Sequence, residues 1–318
     1  MSVIALAGIR KAVQNLNPGK VRELGERELN IALYAHSNEA YRQMEEFFLE
    51  GLFERRRKES LDALTRGPAP AEALKYDFAI YDEGVVAPAR AFVFHRQEPD
   101  LLVKRILSKH EELGVPLARH FEVFRRPYVE HLIKKISREN ALFSIATALP
   151  DVIPSFIELP WAIAEFTSDT AFITMNQIRM AFLLAAASDR QVGYMEQKSE
   201  IAGVIGSAFG WRALARQVAG KIPFGAGLIP KAAIAYAGTR VVGASIERFY
   251  RIGYAYTRGE RESMYSQTFE HGKKMAKQIL RTVRPDLADK LGANDEAKPA
   301  GHRTVDAEAS ARSGAGQP

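Results

Sequence analysis

The chain of 318 residues contains no cysteine, which excludes disulfide bonds, thiolate metal sites, iron–sulfur clusters and cysteine nucleophiles. Its seven histidines form neither an H-x-x-x-H nor an H-E-x-x-H spacing, so these zinc motifs are missing as well. A G-x-S-x-G nucleophile elbow is also absent, because Gly243-Ala-Ser245 is followed by Ile246 and Glu247. From these absences we expect no catalytic residues, no metal and no cofactor, and therefore a protein that is not an enzyme.

Long uncharged stretches are lacking too. The longest runs without Asp, Glu, Lys or Arg, such as Ile201–Trp211, have eleven residues, whereas a transmembrane helix needs about 18. The region Ile222–Ile246 comes closer, but Lys231 near its centre costs about 2.5–3.5 kcal/mol on the insertion scale, and Arg240 adds to this. Autonomous spanning is therefore not expected. Two arrangements stay open: a hairpin that dips into a bilayer, and a soluble bundle with this region as core.

The positive charge is concentrated in one part of the chain. The net charge is +6, and the segment Ile205–Arg284 carries fourteen basic and four acidic residues, which leaves −4 for the remainder. A basic, apolar half indicates an anionic partner, either a membrane surface or nucleic acid, although it is also compatible with a merely solvated face. We expect anionic membrane lipid as the partner, leave a protein partner open and do not expect nucleic acid.

The first third of the chain alternates short apolar strand signals with helix signals. Their order, strand, helix, strand, strand, helix, indicates a small α/β layer. Asn38 is predicted to cap the first of the two helices after the first strand, and Pro99 to open the second. The predicted strands are Leu29–Ala35, Tyr76–Tyr81 and Ala91–His95, and the predicted helices are Glu39–Glu50 and Asp100–Leu113.

From Pro127, which suits the first turn of a helix, the pattern becomes helical. Ile133, Ile136 and Asn140 are among the residues predicted on its core face, and Lys134, Lys135 and Arg138 are predicted on its solvent face. Prolines interrupt it at Leu149–Trp161, a broken apolar loop or re-entrant segment, and large apolar residues disappear after Pro285. The predicted fold is mainly α with a small α/β N-terminal layer and a helical C-terminal domain built from Gly/Ala-rich hairpins. We divide the chain into a degenerate α/β domain (1–125), a helical domain (126–284) and a disordered tail (285–318). Within the helical domain the predicted helices cover 162–187, 197–219, 231–256 and 262–283.

Four runs in the helical domain resemble successive motifs of one family. They are Met175-Asn-Gln-Ile-Arg-Met180, Gly210-Trp-Arg-Ala-Leu-Ala-Arg-Gln217, Ile222-Pro-Phe-Gly-Ala-Gly227 and Ala235-Tyr-Ala-Gly-Thr239. Together they resemble the YcjF-type domain of unknown function (domain-of-unknown-function family 697), over about residues 120–258. The resemblance implies a helical, membrane-apposed domain that often follows an Era-like GTPase domain. It implies no reaction.

The residues that a GTPase needs are missing from the first third. A phosphate-binding loop has the pattern G-x-x-x-x-G-K-[ST], whose backbone donors and lysine hold the phosphates. After the first strand this chain reads Ala35-His-Ser-Asn-Glu-Ala40, without glycine or lysine, and no Asn-Lys-x-Asp occurs anywhere. The pair Asp82-Glu83 follows a strand, where catalytic residues can lie, but a polar turn is the plainer interpretation. Together with the GTPase domain that the resemblance implies, these absences lead us to expect a degenerate, non-hydrolysing α/β domain, Rossmann- or GTPase-like.

These observations lead to one functional hypothesis and two alternatives. The hypothesis is a non-enzymatic protein that associates, peripherally or re-entrantly, with the cytoplasmic face of a membrane. The alternatives are a soluble, cytoplasmic helical interaction or scaffold protein, and a nucleotide-dependent switch with a degenerate G-like domain. In the segment Arg248–Arg258 basic and aromatic side chains alternate. This pattern is compatible with a membrane interface, with a binding site for single-stranded nucleic acid, and with an aromatic stripe that faces the core. The predicted membrane-contact residues are Trp211, Arg212, Arg216, Lys221, Phe224, Lys231 and Arg240.

Overall fold

A computed structural model of the chain describes residues 16–67, 76–149, 169–206 and 227–290. Over these residues the protein is mostly helical, with a small four-stranded parallel sheet in its N-terminal half. The predicted fold class, mainly α with a small α/β layer, is therefore confirmed.

The sheet contains β1 (Ile31–Tyr34), β2 (Leu64–Arg66), β3 (Phe78–Asp82) and β4 (Phe92–Phe94) in the order β2-β1-β3-β4. All three pairings are parallel. Three strands were predicted and β2 was not, because it has only three residues, of which Leu64 alone is buried. The chain leaves β1 on one side for β2 and returns on the other side for β3. The carboxyl ends of β1 and β3 therefore flank the point where the strand order reverses.

Within the described residues, five α-helices lie in the same part of the chain as the sheet, and the start of one of them shows the capping chemistry clearly. Ser37 Oγ accepts a hydrogen bond from Ala40 N, so Ser37 is the N-cap and Asn38, the predicted cap, is the first helical residue. The chain turns after this helix at Gly51, which has a positive φ of 76°. The helices are α1 (Pro18–Gly25), α2 (Asn38–Leu49), α3 (Glu54–Leu61), α4 (Pro99–Lys109) and α5 (Gly114–His120).

Six further helices form the helical part within the described residues. Pro127 lies inside the first of them and not in its first turn, because Phe121 and Phe124 pack into the sheet core and draw the helix start upstream. The first residues after Pro285, predicted as tail, form a short helix whose Ala288 is fully buried. The helices are α6 (Glu122–Ala146), α7 (Asp169–Ala187), α8 (198–206), α9 (Leu228–Ile252), α10 (Arg258–Val283) and α11 (Pro285–Lys290).

Helix α6 has the predicted division between a core face and a solvent face. Ile133, Ile136 and Asn140 are among its buried residues, whereas Lys134 and Arg138 are exposed. It packs against both α9 and α7, so it forms the centre of the helical part. The long hairpin α9–α10 is defined at its turn by Gly253, with a φ of 81°, and by a capping box between Thr257 and Glu260.

An ionic cluster joins the α/β layer to the helical part. Asp189, just after α7, forms ion pairs with Arg56 of α3 and Arg119 of α5, at 2.8 Å from Arg56 Nη2 and 3.1 Å from Arg119 Nε. Asp189 has a φ of 55°, a left-handed conformation that aspartate tolerates better than most residues. The end of α7 is thereby held against two helices of the α/β layer.

Candidate functional site

Polar side chains gather at the carboxyl edge of the sheet, where the strand order reverses. His36 follows β1, Asp82 ends β3, and Arg96 follows β4. Ligands of open parallel sheets bind in the crevice outside this edge. The cluster therefore lies at the edge where open parallel sheets bind their ligands.

Asp82 is the centre of this cluster and is fully buried. Its Oδ1 accepts from Arg96 Nη2 at 2.8 Å, and its Oδ2 accepts from Gly84 N at 3.2 Å and contacts His36 Nδ1. Arg96 continues the network, since its Nε donates to Gln43 Oε1 at 2.6 Å. Burying a carboxylate is costly unless it is paired and hydrogen-bonded, and Asp82 meets both conditions.

The arrangement orients an imidazole towards solvent. When His36 Nδ1 donates to Asp82, the lone pair of the neutral ring lies on Nε2, and the His36 side chain is 48% exposed. A buried carboxylate that orients an accessible histidine is the supporting half of a general-base site. Among the described residues there is no group of three His, Asp or Glu that could hold a metal ion.

Sequence reasoning found part of this cluster. Asp82 and Glu83 were interpreted chiefly as a polar turn, but the structure places Asp82 in the core and Glu83 beside Arg96. His36 was considered only as one of seven histidines without a zinc-binding spacing, and Arg96 was not considered. The signal that could have found them was the position of each residue at or just after a strand end, because parallel strands end at one edge.

A second buried polar cluster lies in the helical part. Thr239 Oγ1 on α9 accepts from Asn140 Nδ2 on α6 at 2.8 Å and from Gln177 Nε2 on α7 at 3.1 Å. Asn176 Nδ2 donates to Asn140 Oδ1 at 3.0 Å and to Glu139 Oε2 at 3.1 Å. The network fixes three helices in one register, because each amide or hydroxyl would be costly to bury unpaired.

Two of the seven predicted membrane-contact residues can be placed. Lys231 and Arg240 both lie on α9 and are partly exposed. The other five, Trp211, Arg212, Arg216, Lys221 and Phe224, lie outside the described residues. The same holds for residues 207–219 of the predicted 197–219 helix and for most of the predicted re-entrant segment.

The basic and aromatic segment divides between core and surface. Tyr250 is buried, and Arg190 stacks on its ring at 4.7 Å while donating from Nη2 to its carbonyl oxygen. Arg248 lies 4.4 Å from the ring centre of Tyr256. Tyr254, in contrast, is 76% exposed in the turn between α9 and α10, and Ile252 beside it is 46% exposed. The core interpretation is therefore right for Tyr250, whereas the turn presents apolar surface to solvent.

One described helix meets the length and hydropathy criteria for a membrane span. The window Thr170–Ala187 of α7 has a mean hydropathy of 1.2, and 83% of it is buried inside the protein. A core helix of a soluble protein has the same properties, so this helix is weak support for a span.

Comparison with models of protein families, with curated proteins and with solved structures gave no match. The resemblance to the YcjF-type domain therefore rests on its sequence motifs and stays a prediction.

Proposed function

We propose that this protein is a non-enzymatic, membrane-associated protein that binds the anionic cytoplasmic face of a membrane through its basic helical domain. The observation that carries the proposal is the turn between α9 and α10, residues 252–258. Ile252 and Tyr254 are exposed there, and Arg251 and Arg258 flank them with side chains 63% and 88% exposed. Aliphatic and tyrosine side chains next to arginines are typical of interfacial anchors.

In this proposal the apolar side chains of the turn contact the bilayer, and the positive charge of the whole helical domain attracts the protein to anionic lipid. Arg251 pairs with Glu247 and Arg258 with Glu262, so the turn itself has little excess charge. Residues 227–290, however, carry twelve basic and six acidic side chains. Full burial of one isoleucine contributes about 1.5–3 kcal/mol, and each cation near an anionic surface about 1 kcal/mol. Sums of this size favour reversible, peripheral attachment.

The proposal is tested by flotation with two kinds of vesicle, one of phosphatidylcholine alone and one that also contains about 30 mole per cent phosphatidylglycerol. Each is used at low and at high salt. We expect binding to the anionic vesicles only, weakened by salt. Ile252→Ser/Tyr254→Ser should reduce it about tenfold, since two apolar anchors are lost. Phe53→Ser, at an 86% exposed aromatic residue of the α/β layer, is the matched control and should bind like the wild type.

Two results would contradict the proposal. One is a wild-type protein that stays with the soluble fraction and binds no anionic vesicle at low salt. The other is equal loss of binding in the turn variant and in Phe53→Ser, which would mean that any exposed apolar residue has the same effect.

A soluble interaction protein is the second candidate function, and one observation favours it. Helix α7, the single candidate span among the described helices, is packed between α6 and α9 and is mostly buried. A monodisperse protein in detergent-free buffer without affinity for lipid would support this candidate. A thermal-shift screen with nucleotides and Mg²⁺ tests the remaining alternative, a nucleotide-dependent switch that uses the sheet edge.

A further inference from the structure

A groove between α6 and the carboxyl-terminal end of α10 combines an apolar floor with a cationic rim. Its volume is about 540 Å³, which lies in the range of small-molecule sites. Leu142 of α6 and Ile279 and Val283 of α10 supply the apolar lining. Lys134 and Arg138 of α6 line the same groove, and both are exposed.

The acidic residues of the groove already have partners. Glu111 is in contact with Lys135 Nζ, and Glu139 Oε2 lies 3.9 Å from Arg179 Nη1 and accepts from Asn176. Lys134 and Arg138, in contrast, form no ion pair with any residue that the structure describes. The rim is therefore left with two positive charges that no described carboxylate neutralises.

The spacing of these two cations is unfavourable without a ligand. Residues i and i+4 of a helix are neighbours on its surface, and like charges at this spacing destabilise the helix. An anion with two charges would relieve the repulsion between Lys134 and Arg138, and a guanidinium can hold two oxygens of one phosphate. The floor would accept a hydrocarbon chain, because it removes apolar surface from water.

From this charge complementarity we propose that the groove is a binding site for a soluble, single-chain amphiphile with a phosphate head group. Lys134 and Arg138 hold the phosphate, and Leu142, Ile279 and Val283 contact the first methylenes of the chain. The site is separate from the turn that is proposed to meet the membrane. Arg258 and Gln278 stand twenty residues apart on α10, or about 30 Å along its axis.

The probe is dodecyl phosphate below its micellar concentration, titrated into the full chain by isothermal calorimetry. We expect one molecule per chain. The variant Lys134→Gln/Arg138→Gln should bind at least about tenfold more weakly, because two charge-assisted contacts are lost. Arg126→Gln/Lys274→Gln removes the same charge from exposed positions of α6 and α10 outside the groove lining, and should stay within about twofold of the wild type.

Two comparison ligands and one further variant complete the test. Inorganic phosphate and dodecyl maltoside should each bind at least about tenfold more weakly than dodecyl phosphate, since each lacks one half of the recognised chemistry. Glu111→Gln frees Lys135 from its carboxylate and should tighten binding severalfold, a gain that misfolding would not produce. Flotation with anionic vesicles should not distinguish the Lys134/Arg138 variant from its charge-matched control.

The proposal is overturned by three results: no binding of dodecyl phosphate, equal weakening in the groove variant and its control, or inorganic phosphate that binds as tightly as dodecyl phosphate. None of these results depends on whether the protein binds vesicles. Loss of vesicle binding with retained dodecyl phosphate binding would remove the proposed function and leave the groove site.

Discussion

Gly84 lies so close to the imidazole of His36 that a β-carbon on residue 84 would stand 2.5 Å from Nδ1. Real β-carbons do not approach other atoms to this distance, so only glycine permits the observed position of the ring. Gly84 also donates its N–H to Asp82 Oδ2 at 3.2 Å. One small residue thus allows the contact between His36 and Asp82 and contributes to it.

The substitution Gly84→Ala should displace His36 from Asp82. Its imidazole is half exposed and can swing into water, so the expected loss is modest, about 1 kcal/mol of unfolding free energy. Urea denaturation gives this value, and the NMR signal of the His36 ring gives its displacement. In a His36→Ala background the same substitution should cost little, which a double-mutant cycle measures. Additive costs would mean that Gly84 acts independently of His36.

A second close approach fixes the α9–α10 hairpin. A β-carbon on Gly272 of α10 would lie 2.9 Å from the carbonyl oxygen and 3.2 Å from the Cα of Ala233 on α9. These are backbone atoms and cannot rotate away, so Gly272→Ala should separate the helices and cost about 1–3 kcal/mol. Thermal and urea denaturation measure the loss.

Gly259→Ala is the matched control for Gly272→Ala. It lies on the same helix, and a β-carbon there would meet nothing within 4 Å. Alanine is a better helix former than glycine, so this variant should be as stable as the wild type or up to about 1 kcal/mol more stable. Equal effects of the two substitutions on stability would show that helix propensity, and not the contact with Ala233, determines the effect of replacing these glycines.

The sequence predicted those parts of the fold that follow from local pattern. The apolar runs of β1, β3 and β4 and the spacing of Ile133, Ile136 and Asn140 on α6 were read correctly. Strand β2 was missed because a three-residue strand is held by its pairing with β1 and has hardly any pattern of its own. The start of α6 was placed too late, since Phe121 and Phe124 join the sheet core through contacts distant in the sequence.

The candidate site was harder to predict than the fold. His36 and Asp82 are 46 residues apart, and Arg96 is reached only after a further strand. Their contact depends on the strand order, which no local spacing encodes. The groove was predictable in part. Lys134 and Arg138 were recognised as belonging to a solvent face, but the apolar floor from α10 forms only when the two helices pack.

Thr239 should be essential for the packing of three helices although it takes no part in a proposed site. Thr239→Val keeps the shape of the side chain but leaves Asn140 Nδ2 and Gln177 Nε2 without their acceptor. Each buried donor left unpaired costs about 1–3 kcal/mol, so we expect urea denaturation to give a free energy of unfolding that is lower by about 2–4 kcal/mol.

The control is Thr282→Val, at an exposed threonine whose hydroxyl donates to the Gln278 carbonyl. Its free energy of unfolding should lie within about 0.5 kcal/mol of that of the wild type. A similar loss in both variants would contradict a special role of the buried network.

His120 should make the stability of the protein depend on pH. Burial lowers the pKa of His120 below its usual value, and the charges of Arg56 and Arg119 lower it further. Between about pH 6.5, where an unfolded histidine titrates, and the lower pKa of the folded state, the unfolded chain binds more protons. Stability that is present above this window is therefore lost as the pH falls through it.

Melting temperatures of the wild type should decrease from pH 7 to pH 5 by more than those of His120→Gln, which cannot titrate. His131→Gln removes a histidine that is 58% exposed and should keep the wild-type slope. If His120→Gln has that slope as well, the proton that destabilises the fold binds elsewhere.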